Sequence, residues 1–317
     1  MSKTVFARVW KNLKYPLQAA LGVSIAVGWA IAPLPGVAGT APPATISDAS
    51  DEHFLWQIDT PTNTVYLLGS IHFLTPDSYP LPEVMQAAFE DAEILVLEAD
   101  IGPGTEAETA MLLLDKALPE PGESLVEVLS PATYGLADQQ AEELGLFIET
   151  FAQFEPWFLA ITLTSLQFIS LGFSPEYGID LHFHNQAIAV NKPVLFLETV
   201  EQQFDLFEQL SIAEQRQLTE QTLAEMDLLE GSLNEIVTAW DAGDSDAMAA
   251  SLLAGFEDYP DMQQIFLSDR NRDWVTQILP WLQADEDYLI VVGALHLVGP
   301  DNVLELLANE GYEAEQL

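Results

Sequence analysis

Two ten-residue stretches carry residue types from which a catalytic or metal-binding centre can be built. GSIHFLTPDS (69–78) aligns without a gap with GALHLVGPDN (293–302), so Gly69, His72, Pro76 and Asp77 match Gly293, His296, Pro300 and Asp301. Each copy follows an apolar run and precedes a helical pattern. A second pair of stretches, ILVLE (94–98) and VLFLE (194–198), ends in Glu98 and Glu198. In α/β sheets ligands bind beyond the carboxyl ends of the strands, so two histidines and two glutamates there would converge from distant parts of the chain. Imidazole and carboxylate together suit a divalent transition metal. A bound ion lowers the pKa of a water and polarises a carbonyl, and a glutamate off the metal can act as general base. His72, His296, Glu98 and Glu198 are therefore the candidate metal ligands, with Glu98 and Glu198 doubling as catalytic candidates. The bland alternatives are a hydrogen-bonded turn histidine and a glutamate that caps the next helix. The recurrence of a histidine at one offset favours the functional reading.

Other candidates are weaker. His182 and His184 form an H-x-H pair, but YGIDLHFHNQA reads as a helix start, which separates them around the helix; Asp180 there reads as an N-cap. Ser70 shares strand parity with His72, which invites a serine-nucleophile reading, yet no G-x-S-x-G elbow is present. Cysteine is absent, which removes disulfides, thiolate metal sites and a cysteine nucleophile.

The elements needed to position these residues are legible. HFLWQID and TVYLLGSIHF flank the turn signal TPTN and predict a hairpin. ILVLEAD, PVLFLETV and DYLIVVGALHLVG are continuous apolar strands of the kind buried on both faces. Residues 105–190 and 201–283 are mostly helical, and NVLELLANEGYEAEQL is a final helix with a short tail. Alternating strands and helices predict an α/β fold: a central mixed sheet covered by helices, in two related halves of strand–GxxH–helix type with large helical insertions.

Four of the nine basic residues, Lys3, Arg8, Lys11 and Lys14, lie at the start of the chain, and the first acidic residue is Asp48. An apolar run over residues 17–34 follows, then small residues and prolines. The pattern predicts a signal peptide or an N-terminal membrane anchor over residues 1–39, a linker over 40–50 and one domain over 51–317. The body is expected to be extracytoplasmic, periplasmic or secreted. Beyond residue 40 there are five basic against 50 acidic side chains, a difference of −45. Such a surface repels nucleic acid and anionic headgroups, so no nucleic-acid partner and no membrane contact beyond the N-terminal segment are expected.

The ordered set VYLLGSIHFL, LVLEAD, YGID, KPVLFLETVEQQ, DRNRDW and VVGALHLVGPDNVLELLANEGYE resembles the TraB/GumN (TraB/PrgY) family from about residue 53 onward. That family is similar to the Tiki metalloproteases and, more distantly, to the erythromycin esterase and ChaN-like group. The resemblance implies that the G-x-x-H histidines His72 and His296, with Glu98 and Glu198, face one cleft. It implies a divalent-metal-dependent hydrolase, peptidase-like, with manganese or cobalt favoured and zinc as a further candidate. Arg270 matches the arginine of an Arg-Asn-x-x-Trp pattern, beside Asn271 and Trp274. The family's Gly-x-Asp pattern matches Gly178 and Asp180, and leaves open for Asp180 a role in holding a ligating side chain in place. An arginine at a carboxylate-lined cleft could bind a substrate carboxylate or stabilise an oxyanion, or form a plain helix-surface ion pair. The expected partner is a peptide or small-molecule substrate. Two non-hydrolytic alternatives use the same residues: sequestration of a peptide signal, and binding of haem or a metal chelate.

Overall fold

The computed structural model describes residues 52–317 apart from 103 and 257–258; the N-terminal signal or anchor segment and the linker lie outside the described residues. Among the described residues, six strands form one mixed sheet: β1 (Leu55–Asp59), β2 (Thr64–Ser70), β3 (Ile94–Leu97), β4 (Val194–Phe196), β5 (Tyr288–Gly293) and β6 (Glu315–Gln316), in the order β4-β3-β5-β2-β1-β6. The expected α/β class is the one found. The hairpin also forms as expected: β1 runs antiparallel to β2, and Thr60 and Asn63 close the turn through side-chain and backbone hydrogen bonds.

β2, β3, β4 and β5 run parallel, so their carboxyl ends lie along one edge. β5 is buried at all six positions, which is why it reads as an unbroken apolar run rather than an alternating one. The two histidine-bearing strands are direct neighbours, with Gly69 opposite Val292 and Ser70 opposite Gly293. The two glutamate-bearing strands are also neighbours, with Leu97 opposite Phe196; beyond the ladder the Glu198 N–H donates to the Glu98 carbonyl at 2.8 Å. The expected C-terminal tail is instead β6, which pairs with β1. Two residues are too few to show an alternation pattern.

The longer helices are α1 (Glu83–Asp91), α2 (Glu106–Lys116), α3 (Pro131–Glu143), α4 (Pro156–Ser170), α5 (Ile179–Val190), α6 (Val200–Glu208), α7 (Ile212–Glu225), α8 (Leu229–Asp241), α9 (Ser245–Leu253), α10 (Asp269–Trp281) and α11 (Val303–Asn309). Local chemistry sets several of their ends. Thr199 and Gln202 form a capping box at α6, and Ser211 and Glu214 form another at α7; each box satisfies two orphan backbone donors at a helix start. Asn191 ends α5 in the left-handed conformation, which its short polar side chain tolerates. Helix α4 is buried along most of its length, and Trp157 stacks on Phe207 of α6 at 4.5 Å. The sheet and these helices share one apolar core.

Candidate functional site

The site is built where the four parallel strands end. His72 lies two residues past β2, Glu98 one past β3, Glu198 two past β4, and His296 three past β5 in a short 3-10 turn. All four expected residues therefore come to the same edge of the sheet, joined by side chains from α5, α6 and α10.

The Arg270 guanidinium organises the centre of this group. Its Nε donates to Glu198 Oε1 at 2.9 Å, and one terminal nitrogen donates to both Glu98 Oε2 and Glu198 Oε2 at 2.9 Å. The other terminal nitrogen donates to His296 Nε2 at 3.0 Å and to the Phe266 carbonyl at 3.1 Å. Residues 264–268 just before α10 form a π turn, a distortion that recurs at functional sites. The guanidinium also stands 4.7 Å from the Trp274 ring, whose Nε1 donates to Glu198 Oε1 at 2.9 Å. The surface-ion-pair alternative for Arg270 is thus corrected: the residue is 4% exposed. Arg272, on another face of the helix, makes the exposed pairs, with Asp269 and Asp301.

Glu98 is buried and fully engaged. Its Oε1 accepts the Gly293 N–H at 2.7 Å, and its Oε2 accepts from Arg270 and from Gln203 Nε2 at 3.1 Å. Burial by itself would raise its pKa. The Arg270 charge, with His296, His72 and the Gly293 N–H, outweighs burial and holds it at about 2. Glu198 is not a helix cap, because Thr199 performs that role and leaves the Glu198 carboxylate free to face Arg270.

The two histidines have opposite environments. His72 Nδ1 lies 2.7 Å from Asp180 Oδ1. Burial would lower its pKa, but the Asp180 charge and hydrogen bond, with Glu98 adding, raise it above the ordinary value; Arg270 opposes. His296 Nδ1 lies 2.6 Å from Asn271 Oδ1. Burial and then the Arg270 charge push this ring down to about 3, so it is neutral. Asp180 departs from its expected N-cap role: Gly178 is the N-cap of α5, and Asp180 sits inside the first turn with its carboxylate turned to His72. The helix indeed separates His182 from His184: His182 contacts Gln186 at 2.6 Å, and His184 packs edge-on against Phe196.

A cavity of about 20 Å³ is lined by Ser70, His72, Glu98, Asp180 and Gln203, among others. A wider groove of about 570 Å³ is lined by Glu198, Arg270, Trp274, Gln202, Asp269 and neighbours. Glu98 thus lines a small cavity, while its ion-pair partner Arg270 and Glu198 line a groove of a size that ligand sites have.

The expected four-ligand metal centre can be tested on this geometry. A cation shared by Glu98, Glu198 and His296 would have to stand where the Arg270 guanidinium donates to all three. His296 has both ring nitrogens hydrogen-bonded, and both Glu98 oxygens are engaged. Of the four side chains, only His72 keeps a ligating atom, Nε2, without a hydrogen-bond partner among the described residues. Among the described residues, no group of three or more His, Asp or Glu side chains is close enough to hold an ion. The four residues converge, but around an arginine rather than around a common cation position, and as arranged they do not fit that centre. The same hydrogen bonds leave His296 no nitrogen for a haem iron.

The sequence gives no sign of Gln203, and it leaves a supporting role open for Asp180 without pointing to His72. Gln203 follows Glu198 at a spacing that carries no motif. The YGID stretch did mark Asp180, without naming its partner.

The fold and this constellation define an α/β protein with paired G-x-x-H motifs at one sheet edge. The sequence profile of the TraB/PrgY/gumN family matches residues 54–316, and the chain belongs to that family. It is similar to the uncharacterized protein YbaP of Escherichia coli (strain K12), with 27% identity over 259 residues, covering 80% of this chain and 93% of YbaP. The uncharacterized protein YbaP of Shigella flexneri aligns with the same identity and coverage. No solved structure matches.

Proposed function

We propose that this chain is a hydrolase of amide or ester bonds, peptides first among them, in which His72 is the general base. One observation carries the reading: His72 Nδ1 is held by Asp180, its Nε2 has no hydrogen-bond partner among the described residues, and the ring lines the small cavity together with Glu98. A carboxylate on one ring nitrogen fixes the tautomer and raises the basicity of the other.

His72 Nε2 takes a proton from water as the water oxygen attacks the carbonyl carbon, and returns it to the leaving group. The imidazolium formed in between is favoured by the negative charges of Asp180 and Glu98. Glu98 stays ionised at neutral pH because Arg270 compensates it, so it acts as a fixed negative charge rather than as a proton donor. Arg270 supplies the positive charge of the carboxylate cluster and is directed away from a substrate carboxylate by its own pairs. The proposed extracytoplasmic location rests on the basic-then-apolar pattern of residues 1–39.

The test is a screen of the purified chain against peptide and ester libraries by mass spectrometry, with and without manganese or cobalt. Products formed by the wild type and lost in His72→Asn support the reading. Tight peptide binding with no cleavage under any condition overturns it in favour of sequestration.

A further inference from the structure

Ser70 is the last residue of β2 and is 0% exposed, yet its Oγ has no hydrogen-bond partner among the described residues. Buried hydroxyls in native proteins are nearly always paired, so an orphan calls for a partner outside the polypeptide. Ser70 lines the same cavity as His72, Glu98 and Asp180. The cavity of about 20 Å³ has room for about one water, and a buried water needs two to four polar partners. Ser70, His72, Glu98, Asp180 and Gln203 are the polar side chains around that space; Asp180 is held by His72 Nδ1 and both Glu98 oxygens already accept hydrogen bonds, which leaves Ser70 Oγ and the His72 ring to hold a water.

We propose that Ser70 is a catalytic residue that holds the attacking water together with His72. This rests on the hydrolase reading above. Ser70 Oγ accepts one hydrogen of the water while His72 Nε2 accepts the other, so a lone pair of the water oxygen is left to meet the substrate carbonyl. As that oxygen bonds to the carbonyl carbon, its proton passes to His72 and the carbonyl electrons move to oxygen. Collapse of the adduct breaks the bond to the leaving group, which receives the proton from His72. Ser70 makes no covalent bond at any stage.

Crystal structures of the wild type and of Ser70→Ala, solved to a resolution that shows ordered water, test the placement without needing turnover. The expected result is a water within about 3.2 Å of both Ser70 Oγ and His72 Nε2 in the wild type, displaced in Ser70→Ala. A cation at that position, or no bound species there, overturns the proposal. On a substrate from the screen, Ser70→Ala should lower kcat roughly tenfold or more with KM changed less than about twofold and thermal stability kept. An unchanged kcat overturns it. So does a stoichiometric adduct on Ser70 after treatment with a fluorophosphonate, which would make the serine a nucleophile. Absence of any wild-type turnover would refute the hydrolase reading, while the crystallographic comparison would still decide whether Ser70 and His72 share a water.

Discussion

Arg270 donates a hydrogen bond to His296 Nε2 at 3.0 Å, and because a guanidinium cannot accept, that bond fixes which ring nitrogen carries the proton. The hydrogen must be on Nδ1, where it meets Asn271 Oδ1 at 2.6 Å. The Asn271 orientation is fixed in turn, since its Nδ2 donates to the Asp301 carbonyl at 2.9 Å. His72 also has its proton on Nδ1, but there the acceptor is the Asp180 carboxylate. Two histidines at matched positions of two similar motifs are therefore driven in opposite directions. One is a neutral structural acceptor, and the other is a base.

That asymmetry has a pH signature. His296 titrates near 6.5 when unfolded and is pushed down to about 3 in the fold. The unfolded chain binds this proton first, so the contribution is complete above about 6.5 and is lost as pH falls toward 3. Glu98, held at about 2 against an ordinary 4.5, adds a loss only below about 4.5. Protonation of surface carboxylates relieves self-repulsion in so acidic a chain and acts in the opposite sense, so the comparison must be with a variant. The stability gap between wild type and His296→Gln, measured by urea denaturation, should narrow as pH is lowered from 7.5 to 4.5. A constant gap would show that His296 does not titrate between the two states.

Removing Arg270 should be costly. Its loss leaves Glu98 and the nearly buried Glu198 without their counter-charge, and breaking a buried pair from one side costs about 3–5 kcal/mol. Arg270→Lys should recover little, because a point charge cannot reproduce the fork that serves two carboxylates and an imidazole. Arg270→Ala also frees three of the residues expected to bind metal. Manganese or cobalt should therefore raise the melting temperature of Arg270→Ala and leave that of the wild type unchanged. An equal metal-induced rise in both proteins would mean that a cation and Arg270 occupy different places.

Much of this arrangement can be read in the sequence, and the limits have physical causes. The unbroken apolar runs of β3 and β5 announce strands buried on both faces, and the ungapped match of 69–78 with 293–302 announces the two histidines. What the pattern cannot convey is which charge stands between the carboxylates. Arg270 was legible as a rare cation on a helix, yet whether it reaches inward or outward depends on how α10 meets β4, and no local signal encodes that. Asp180 shows the same limit. An acidic residue at a helix start satisfies local capping logic equally well at Gly178 or two positions later. Its partner His72 is 108 residues away. Ser70 was marked by parity with His72, but its lack of a partner emerges only from three-dimensional packing.

The His72–Asp180 pair can be tested through the imidazole itself. Asp180 is the group that lifts His72 above its ordinary pKa against the effect of burial. In Asp180→Asn the His72 ring should titrate at lower pH than in the wild type, read by NMR on the imidazole protons. In turnover, the acid limb of the pH–rate profile should move the same way, and His72→Asn should lower kcat by about 10²–10⁴. If the His72 titration is the same in wild type and Asp180→Asn, the carboxylate is not what prepares the base.

Gly178 decides whether His72 and Asp180 can meet at all. A Cβ at this position would lie 2.5 Å from the His72 carbonyl oxygen, 3.0 Å from its carbon and 3.1 Å from the Pro175 carbonyl oxygen. These are backbone atoms, which cannot swing aside as a side-chain end would. The φ of −61° is ordinary for alanine, so the penalty of Gly178→Ala comes from crowding alone. Either the segment carrying His72 or the first turn of α5 must move, and both carry one half of the pair. Gly178→Ala should therefore lose roughly 1–3 kcal/mol, the usual cost of forcing extra volume into a packed site, and should lower the His72 pKa as Asp180→Asn does. Gly231→Ala is the control: it lies in α8, a Cβ there meets nothing within 4 Å, and alanine in a helix interior is favoured by about 0.5–1 kcal/mol over glycine. Equal urea midpoints for the two variants would show that the close approach of Gly178 to His72 does not hold the pair together.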